Sequence, residues 1–374
     1  MKVLHIIPTL QLGGAEKLCI DICEELSKRP GVEVKLALLQ NQIEHDVEQI
    51  HFEIVPVDSV YIPSILGKAT VKLQGLEKLI QEFKPEVIHT HLFRAEITAR
   101  YHIHGKVVYV SHSHDKMHQL EKPTWEALFN KKKLTLAYER HWILKRYKQC
   151  RNKFITISKD TFSFFKTNLP SELESNVFLL HNAVNTKKYK FPERSFNLNF
   201  PKKLLSIGSL IPIKNHTFLL DVVKNLTDKN YSVELQILGK GNELENLKSK
   251  ASHLGIEKRV HFTATTHITP FLKEADLYVH ACKKEGFGLV FVEAGSAGLP
   301  LLSLDGQGNR ELIENGTNGF MFQEENAETF AEKIMEVLSN EDSYQRLSNN
   351  AVENSAQYDI VPYVDKLLEI YTKN

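Results

Sequence analysis

The sequence of 374 residues contains no apolar run approaching the ~20 residues that a membrane-spanning helix requires. Cysteine is scarce as well: Cys19, Cys23, Cys150 and Cys282 form neither a disulfide framework nor a zinc pattern. Cys19 and Cys23 stand i,i+4 among apolar residues and are expected as buried free thiols, a usage that fits a reducing cytoplasm. Charge of one sign is missing too, with 47 Lys and Arg against 46 Asp and Glu. A formal net charge of +1 excludes general nucleic-acid binding, which needs a basic excess or stripe. Met1 to Pro8, broken by His5 and Pro8, is too short for a secretory signal. The sequence has no internal repeat, no low-complexity tract and no Asp-x-Asp triplet. These absences lead to the expectation of a soluble, cytoplasmic protein.

What is present is an alternation of strand-like apolar runs with helical patterns. Val3–Pro8, Val32–Leu39, Val87–His91, Val107–His112 and Phe154–Ser158 read as strands, with helices between them. The chain then turns polar and irregular from Pro192 to Pro201. The alternation restarts at Lys203–Gly208 and continues through Val233–Gly239, Val260–Phe262, Leu277–His280 and Leu299–Ser303. Strand-then-helix order argues for α/β architecture with parallel sheets wrapped by helices. The length suits two doubly wound, Rossmann-like domains facing across a cleft. The expected divisions are 1–195, 196–355 and a final amphipathic segment, 356–374.

The most informative stretch is Glu285-Gly286-Phe287-Gly288-Leu289-Val290-Phe291-Val292-Glu293. Glu285 is expected on the loop that leaves a buried strand, with Gly288, Leu289 and Val290 opening a helix. Unpaired N–H groups and the positive dipole end at such a helix start favour a phosphate. Glu293 falls further along that helix, within reach of a ribose hydroxyl. The carboxylate pair alone is equally what a solvated helix face shows; the flanking strand and glycines favour a site. Gly13 and Gly14 follow the first strand, where a strand-to-helix turn competes with a phosphate loop. That turn lacks G-x-G-x-x-G, against a dinucleotide oxidoreductase. Ser111-His112-Ser113-His114-Asp115 ends another strand, with His89 and His91 on the strand before it. A metal site, a proton-handling site and packed histidines are all open readings of that pattern. Lys214, after Ser206-Ile207-Gly208-Ser209, places an ammonium at a helix start, where a diphosphate or plain solvent would meet it. Gly239 marks a further strand-to-helix turn.

Together these segments resemble the retaining glycosyltransferases of family 4, which have the GT-B fold. The resemblance rests on Glu285 to Glu293, the Gly13–Gly14 loop, Gly208 to Lys214, the Gly239 turn, His181-Asn182-Ala183-Val184-Asn185 and Asp305-Gly306-Gln307-Gly308-Asn309-Arg310-Glu311. It implies sugar transfer from a nucleotide sugar, expected as a UDP-sugar, to a glycan or lipid-linked acceptor hydroxyl in surface polysaccharide or glycolipid assembly. His114, with His112 as runner-up, matches the family's active-site histidine. Lys214 matches a diphosphate-binding lysine, and Ser209 stands where the family commonly has an arginine. By the same resemblance Gly13, Gly14, Ser209, Lys214, Gly239, Phe287, Gly288, Leu289, Val290 and Glu293 bind the nucleotide sugar. His114, Lys214 and Glu285 are the catalytic group. No metal and no cofactor are expected. Epimerisation of a sugar nucleotide and non-catalytic binding of a sugar or nucleotide are the alternatives.

Residues 115–153 hold eleven Lys or Arg against four Asp or Glu, and both tryptophans, Trp125 and Trp142. Basic residues beside Trp and Phe129 suit peripheral contact with an anionic membrane face. The plainer reading is a basic helical face with the tryptophans in the core.

Overall fold

The computed structural model describes residues 1–48, 50–64, 68–125, 130–192 and 194–373. The chain forms two compact units, Met1–Asn182 with Ile360–Asn374 and Ala183–Asp359. In chain order, unit 1 contains β1 (Lys2–Ile7), α1 (Gly14–Ser27), β2 (Glu33–Leu38), β3 (Glu53–Pro56), β4 (Val60–Ile62), β5 (Thr70–Lys72), α2 (Gln74–Phe83), β6 (Val87–His91), α3 (Leu92–Ala99), β7 (Val108–His112), α4 (Lys131–Tyr147), β8 (Arg151–Thr156), α5 (Lys159–Asn168) and β9 (Val177–Leu179). Unit 2 follows with β10 (Lys202–Ile207), α6 (His216–Asp228), β11 (Val233–Leu238), α7 (Leu244–His253), β12 (Val260–Thr263), α8 (Thr269–Glu274), β13 (Leu277–His280), α9 (Leu289–Ser296), β14 (Leu301–Leu304), β15 (Gly319–Phe322), α10 (Ala327–Ser339) and α11 (Glu341–Ala356). The last helix, α12 (Ile360–Thr372), returns to unit 1.

Each unit is built on a parallel sheet. Unit 1 has seven strands in the order β3-β2-β1-β6-β7-β8-β9, and unit 2 has six in the order β12-β11-β10-β13-β14-β15. The central strands β6, β7, β13 and β14 are buried along their whole length, as parallel strands covered on both faces are. In β1 five of six residues are buried. Helix α1 buries Leu18, Cys19, Ile22, Cys23 and Leu26, one stripe at helical spacing. Local signals set several boundaries: Ser158 and Thr161 form a capping box at α5, and the Asn326 side chain caps α10. The short strands β3, β4, β5, β9 and β15, absent from the sequence reading, have three or four residues each with exposed or half-buried positions. Such segments show too little apolar periodicity to stand out.

The division between units falls after Asn182, ahead of the 195/196 position read from the sequence, and the last helix, expected within 356–374, is α12 at Ile360–Thr372. Residues after 182 are tied into unit 2 by specific bonds. Val184 N donates to Tyr358 O (3.0 Å) and Thr186 N to Asp359 Oδ2 (3.2 Å). Arg194 donates from Nε to Ala297 O (3.1 Å) and from Nη2 to Leu272 O (2.6 Å). Glu193, inside the irregular stretch, lies outside the described residues.

In both sheets the strand order reverses beside the first strand of the unit, between β1 and β6 and between β10 and β13. Loops leaving the carboxyl ends of strands at such a switch point form the crevice where ligands bind in open α/β sheets. The carboxyl end of β7 is anchored by a buried ionic knot. Arg100 Nη2 donates to Ser111 Oγ (3.0 Å), Ser111 Oγ donates to Glu96 Oε1 (2.5 Å), and Nη1 of Arg100 lies 3.6 Å from the same oxygen. Tyr147 Oη also donates to Glu96, and the guanidinium lies 5.0 Å from the Tyr109 ring and 5.3 Å from the Tyr147 ring. Removing one member of a buried pair leaves the other charge uncompensated, at about 3–5 kcal/mol. Glu96→Ala should therefore lower the unfolding free energy by about that amount in urea titrations. A loss below about 1 kcal/mol, the scale of an exposed pair, would mean that the ring faces alone hold Arg100.

Candidate active site

In unit 2 the switch-point loops bring Lys214 and Glu285 together. Lys214 ends the turn after β10, and Glu285 lies on the loop after β13. The Nζ of Lys214 is 2.7 Å from Glu285 Oε2, and His280 Nε2 is 3.3 Å from the same oxygen. His280 is the last residue of β13, and its Nδ1 lies 3.0 Å from Tyr278 Oη. Burial pushes the Glu285 carboxyl up, but His280 and Lys214 outweigh it and hold the pKa at about 2. For Lys214 burial pulls the other way, and Glu285 raises its pKa above the usual lysine value. His280 is lowered, mainly by burial, so a neutral ring faces the carboxylate. His216 opens α6 and is also pushed down, to about 4, by burial first and then by neighbouring His280. The result is an ionised carboxylate and an ammonium, both largely buried, beside two neutral imidazoles.

The next residues set the helix start. Gly288 is the N-cap of α9 at φ +96°, a left-handed conformation that side chains resist, and it brings no capping side chain. Leu289 and Val290 form the first turn, half-buried; Phe287 is buried edge-on to Tyr358, at 5.5 Å between ring centroids. Glu293 is 3 % exposed, one turn into the helix. A second loop buttresses the first: Glu285 N donates to Gly306 O (2.7 Å) and Gly308 N to Glu285 O (3.1 Å). A Cβ at Gly308 would lie 2.2 Å from Gly286 O and 2.3 Å from Glu285 O, so the two loops meet backbone to backbone. Asn309 ties the second loop down, donating from Nδ2 to Ser303 Oγ and Leu304 O (both 3.0 Å). Gly239 follows β11 and donates to Thr263 O (2.9 Å), and Ser209 is exposed on the β10 loop.

Gly13, Gly14 and His114 belong to unit 1. Gly13 is the extended N-cap of α1, which Gly14 opens. His114 lies two residues past β7, half-buried, with its Nε2 3.1 Å from His91 Nδ1. It is one of five clustered histidines. In the parallel register His5 pairs with His89 and His91 with His112, which puts these side chains on one face of the sheet. His112 and His114 stack at 4.5 Å, and His89 and His91 at 4.6 Å. Burial lowers the pKa of His89, His91 and His114 well below the ordinary value, and that of His112 to about 4. Among the described residues, four groups of side chains have donor atoms close enough for a metal: His5–Cys19–Cys23, His5–His89–His91, His91–His112–His114 and His280–Cys282–Glu285. In the histidine groups most ring nitrogens are already spent on one another.

Sequence reasoning did not single out His280, Tyr278, His216, His5 or Tyr371. The only hint in the sequence was histidine at a strand's last position, five residues before Glu285.

Models for two families match the chain: "Glycosyltransferase Family 4" over residues 12–188 and "Glycosyl transferases group 1" over residues 190–354. An uncharacterised glycosyltransferase of Haemophilus influenzae is 32% identical over 167 residues, 44% of this chain and 47% of that protein. The matched region thus spans about half the length of that relative, as it does for an uncharacterised glycosyltransferase of Methanocaldococcus jannaschii, 27% identical over 55% of each chain. Across nearly the full length, the chain is 22% identical to the UDP-Gal:alpha-D-GlcNAc-diphosphoundecaprenol alpha-1,3-galactosyltransferase of Escherichia coli, over 99% of this chain and 96% of that one. Among solved structures, Anabaena Alr3699/HepE in complex with UDP and glucose superposes with a TM-score of 0.77 at 20% identity over 100% of both chains. The fold of this chain is that of the GT-B proteins.

The Glu285 pair carries a pH signature. A carboxyl at about 2 in the folded protein, against 4.5 ordinarily, stabilises the fold fully above about pH 4.5 and loses that contribution as pH falls towards 2. The shift corresponds to stabilisation on the order of 3 kcal/mol. Glu285→Gln should therefore flatten the fall of unfolding free energy between about pH 5 and 3 in urea titrations. An unchanged slope would mean that Lys214 and His280 do not hold the charge.

Proposed function

We propose that this chain, which belongs to glycosyltransferase family 4, moves a sugar from a nucleotide donor to a hydroxyl of a glycan or lipid-linked acceptor, with retention and without a metal. The observation that carries the proposal is the buried Lys214–Glu285 pair beside the uncapped start of α9. Breaking the bond to a diphosphate requires groups fixed in advance where negative charge develops. Lys214 and the N–H groups of α9 are such donors, and the helix dipole adds to them. With Ser209 in place of an arginine, Lys214 is the principal cation of this arrangement. A diphosphate arriving there competes for the ammonium and frees the Glu285 carboxylate to accept from the donor sugar's hydroxyls. Glu293 is assigned to the ribose, and His114 to a sugar hydroxyl. The leaving phosphate oxygen is assigned the acceptor's proton. UDP is the first choice of nucleotide, supported by the Anabaena complex and by the donor of the Escherichia coli relative. That relative's acceptor, a lipid diphosphate carrying a sugar, makes surface-glycan assembly the first process to test.

A screen of UDP, GDP, ADP and their sugars by thermal shift, with EDTA present, tests the donor. Ligand at about 100 times its dissociation constant adds about 2.7 kcal/mol. Lys214→Ala should weaken UDP binding by about 1.5–3 kcal/mol in calorimetry, the range for a charge-assisted hydrogen bond. Glu285→Ala should abolish transfer while UDP still binds. Undiminished UDP affinity in the first variant, or normal turnover in the second, removes that residue from the scheme. Turnover of the donor without acceptor would favour an epimerase instead.

The basic region supports a second element of the proposal, peripheral contact with anionic lipid. Trp125 is 75% exposed, and Lys131, Lys132 and Lys133 at the start of α4 are exposed beside it in sequence. Trp142, by contrast, packs on Tyr61 at 4.8 Å, against the unit 1 core. Phe129 lies outside the described residues. Among the described residues no helix is long and apolar enough to cross a membrane. Replacing the three lysines by alanine should weaken binding to phosphatidylserine-containing vesicles by about 1 kcal/mol per lysine in a sedimentation assay. Equal binding to purely zwitterionic vesicles would count against this contact.

A further inference from the structure

Five imidazoles, one tyrosine and one amide of unit 1 form a hydrogen-bonded ladder, with the Cys23 thiol beside it at His5. From its inner end, Asn182 Oδ1 is 3.2 Å from His112 Nε2, and His112 Nδ1 is 3.3 Å from His89 Nε2. His89 Nδ1 is 2.6 Å from Tyr371 Oη, which lies 3.4 Å from His5 Nε2. His5 Nδ1 is 2.9 Å from His91 Nε2, and His91 Nδ1 is 3.1 Å from His114 Nε2. Everything along it is buried except the outermost ring, His114, which is half-buried. Tyr371 sits on α12 and joins the two halves of the ladder.

A neutral imidazole has one N–H and one lone pair, so each ring that donates at one nitrogen accepts at the other. Burial favours that one-proton state on His89, His91, His112 and His114. The direction of the whole ladder is then set by a single end, because an amide oxygen only accepts. His112 must donate from Nε2 to Asn182, so its Nδ1 accepts from His89 Nε2. His89 Nδ1 accepts in turn from the Tyr371 hydroxyl, whose oxygen accepts from His5 Nε2. His5 Nδ1 accepts from His91 Nε2, and His91 Nδ1 accepts from His114 Nε2. We infer that this ladder presets His114 as the Nε2–H tautomer and offers its Nδ1 lone pair to a substrate hydroxyl, with Asn182 and Tyr371 as positioning residues.

The competing arrangements have distinct consequences. Cys23 lies against His5, and a proton passed to that ring would make it donate on both sides. The outer half would then reverse and place the proton on His114 Nδ1. A metal held by His91, His112 and His114 would take lone pairs that the ladder uses.

The test is long-range proton–nitrogen correlation NMR on the full chain labelled at histidine, without ligand, with His114 assigned through His114→Asn. The expected result is a proton on His114 Nε2 alone. Tyr371→Phe, which can neither donate to His89 nor accept from His5, should leave His114 as a mixture of both tautomers while the far-ultraviolet circular dichroism stays unchanged. Should that variant fail to fold, the Asn182 pair decides: Asn182→Asp keeps an acceptor-only end and the single tautomer, whereas Asn182→Leu loses it. A proton on His114 Nδ1 in the parent protein, a metal-type spectrum that EDTA abolishes, or a single tautomer surviving both Tyr371→Phe and Asn182→Leu would overturn the inference. The hydroxyl contact rests on the transferase reading; there, Tyr371→Phe should lower kcat severalfold without altering UDP affinity. The tautomer pattern is read without turnover, so it fails or stands separately from that reading.

Discussion

Parallel pairing is the constraint from which both candidate sites follow. Strands that run the same way, in register, carry partner side chains on the same face and end at the same edge. In unit 2 this places the loops after β10 and β13 side by side, so Lys214 and Glu285, far apart in sequence, meet as a buried ion pair. In unit 1 it lines up His5 with His89 and His91 with His112 on adjacent strands. A slip of one residue in either sheet would turn these side chains to the opposite face and undo both arrangements.

The two clusters handle burial in opposite ways. Around Glu285 the charges stay: the carboxylate keeps its ionised form because an ammonium and an imidazole face it at close range. Around His114 the charges go: burial first, and the neighbouring rings after it, depress His91 and His114, which bond to each other as neutral groups. Both are ways of avoiding a lone buried charge, whose cost exceeds that of any single hydrogen bond. The first yields a strong local field, the second an ordered set of proton positions.

Much of this was legible in the sequence, and the reasons are local. Glu285, Gly288 and the small-residue helix after them sit within a dozen residues of one another, so strand, turn and helix could be recognised together. Lys214 was legible through the glycine turn before it. His280 was not, because a histidine inside an apolar strand reads as core until the loop folds back over it. The pairing of Tyr371 with His89 was out of reach, since it joins residues 282 positions apart. Gly308 was noted only within the Asp305–Glu311 segment, and its need for close backbone approach appears once Gly286 is seen beside it. The unit boundary was displaced because polarity marked the stretch near 192, whereas the bonds made by Val184, Thr186 and Arg194 decide where unit 2 begins.

The return of α12 to unit 1 has a bearing on biogenesis. Domains generally fold as units, with the N-terminal one first as the chain leaves the ribosome. Here unit 1 starts first but needs Ile360 onwards, which emerges only after all of unit 2. Until then His89 and His5 lack the Tyr371 hydroxyl, and the apolar face that α12 covers stays open to water. Unit 2, made of one continuous segment, can close earlier. The half of the protein that is synthesised first is therefore the half that matures last.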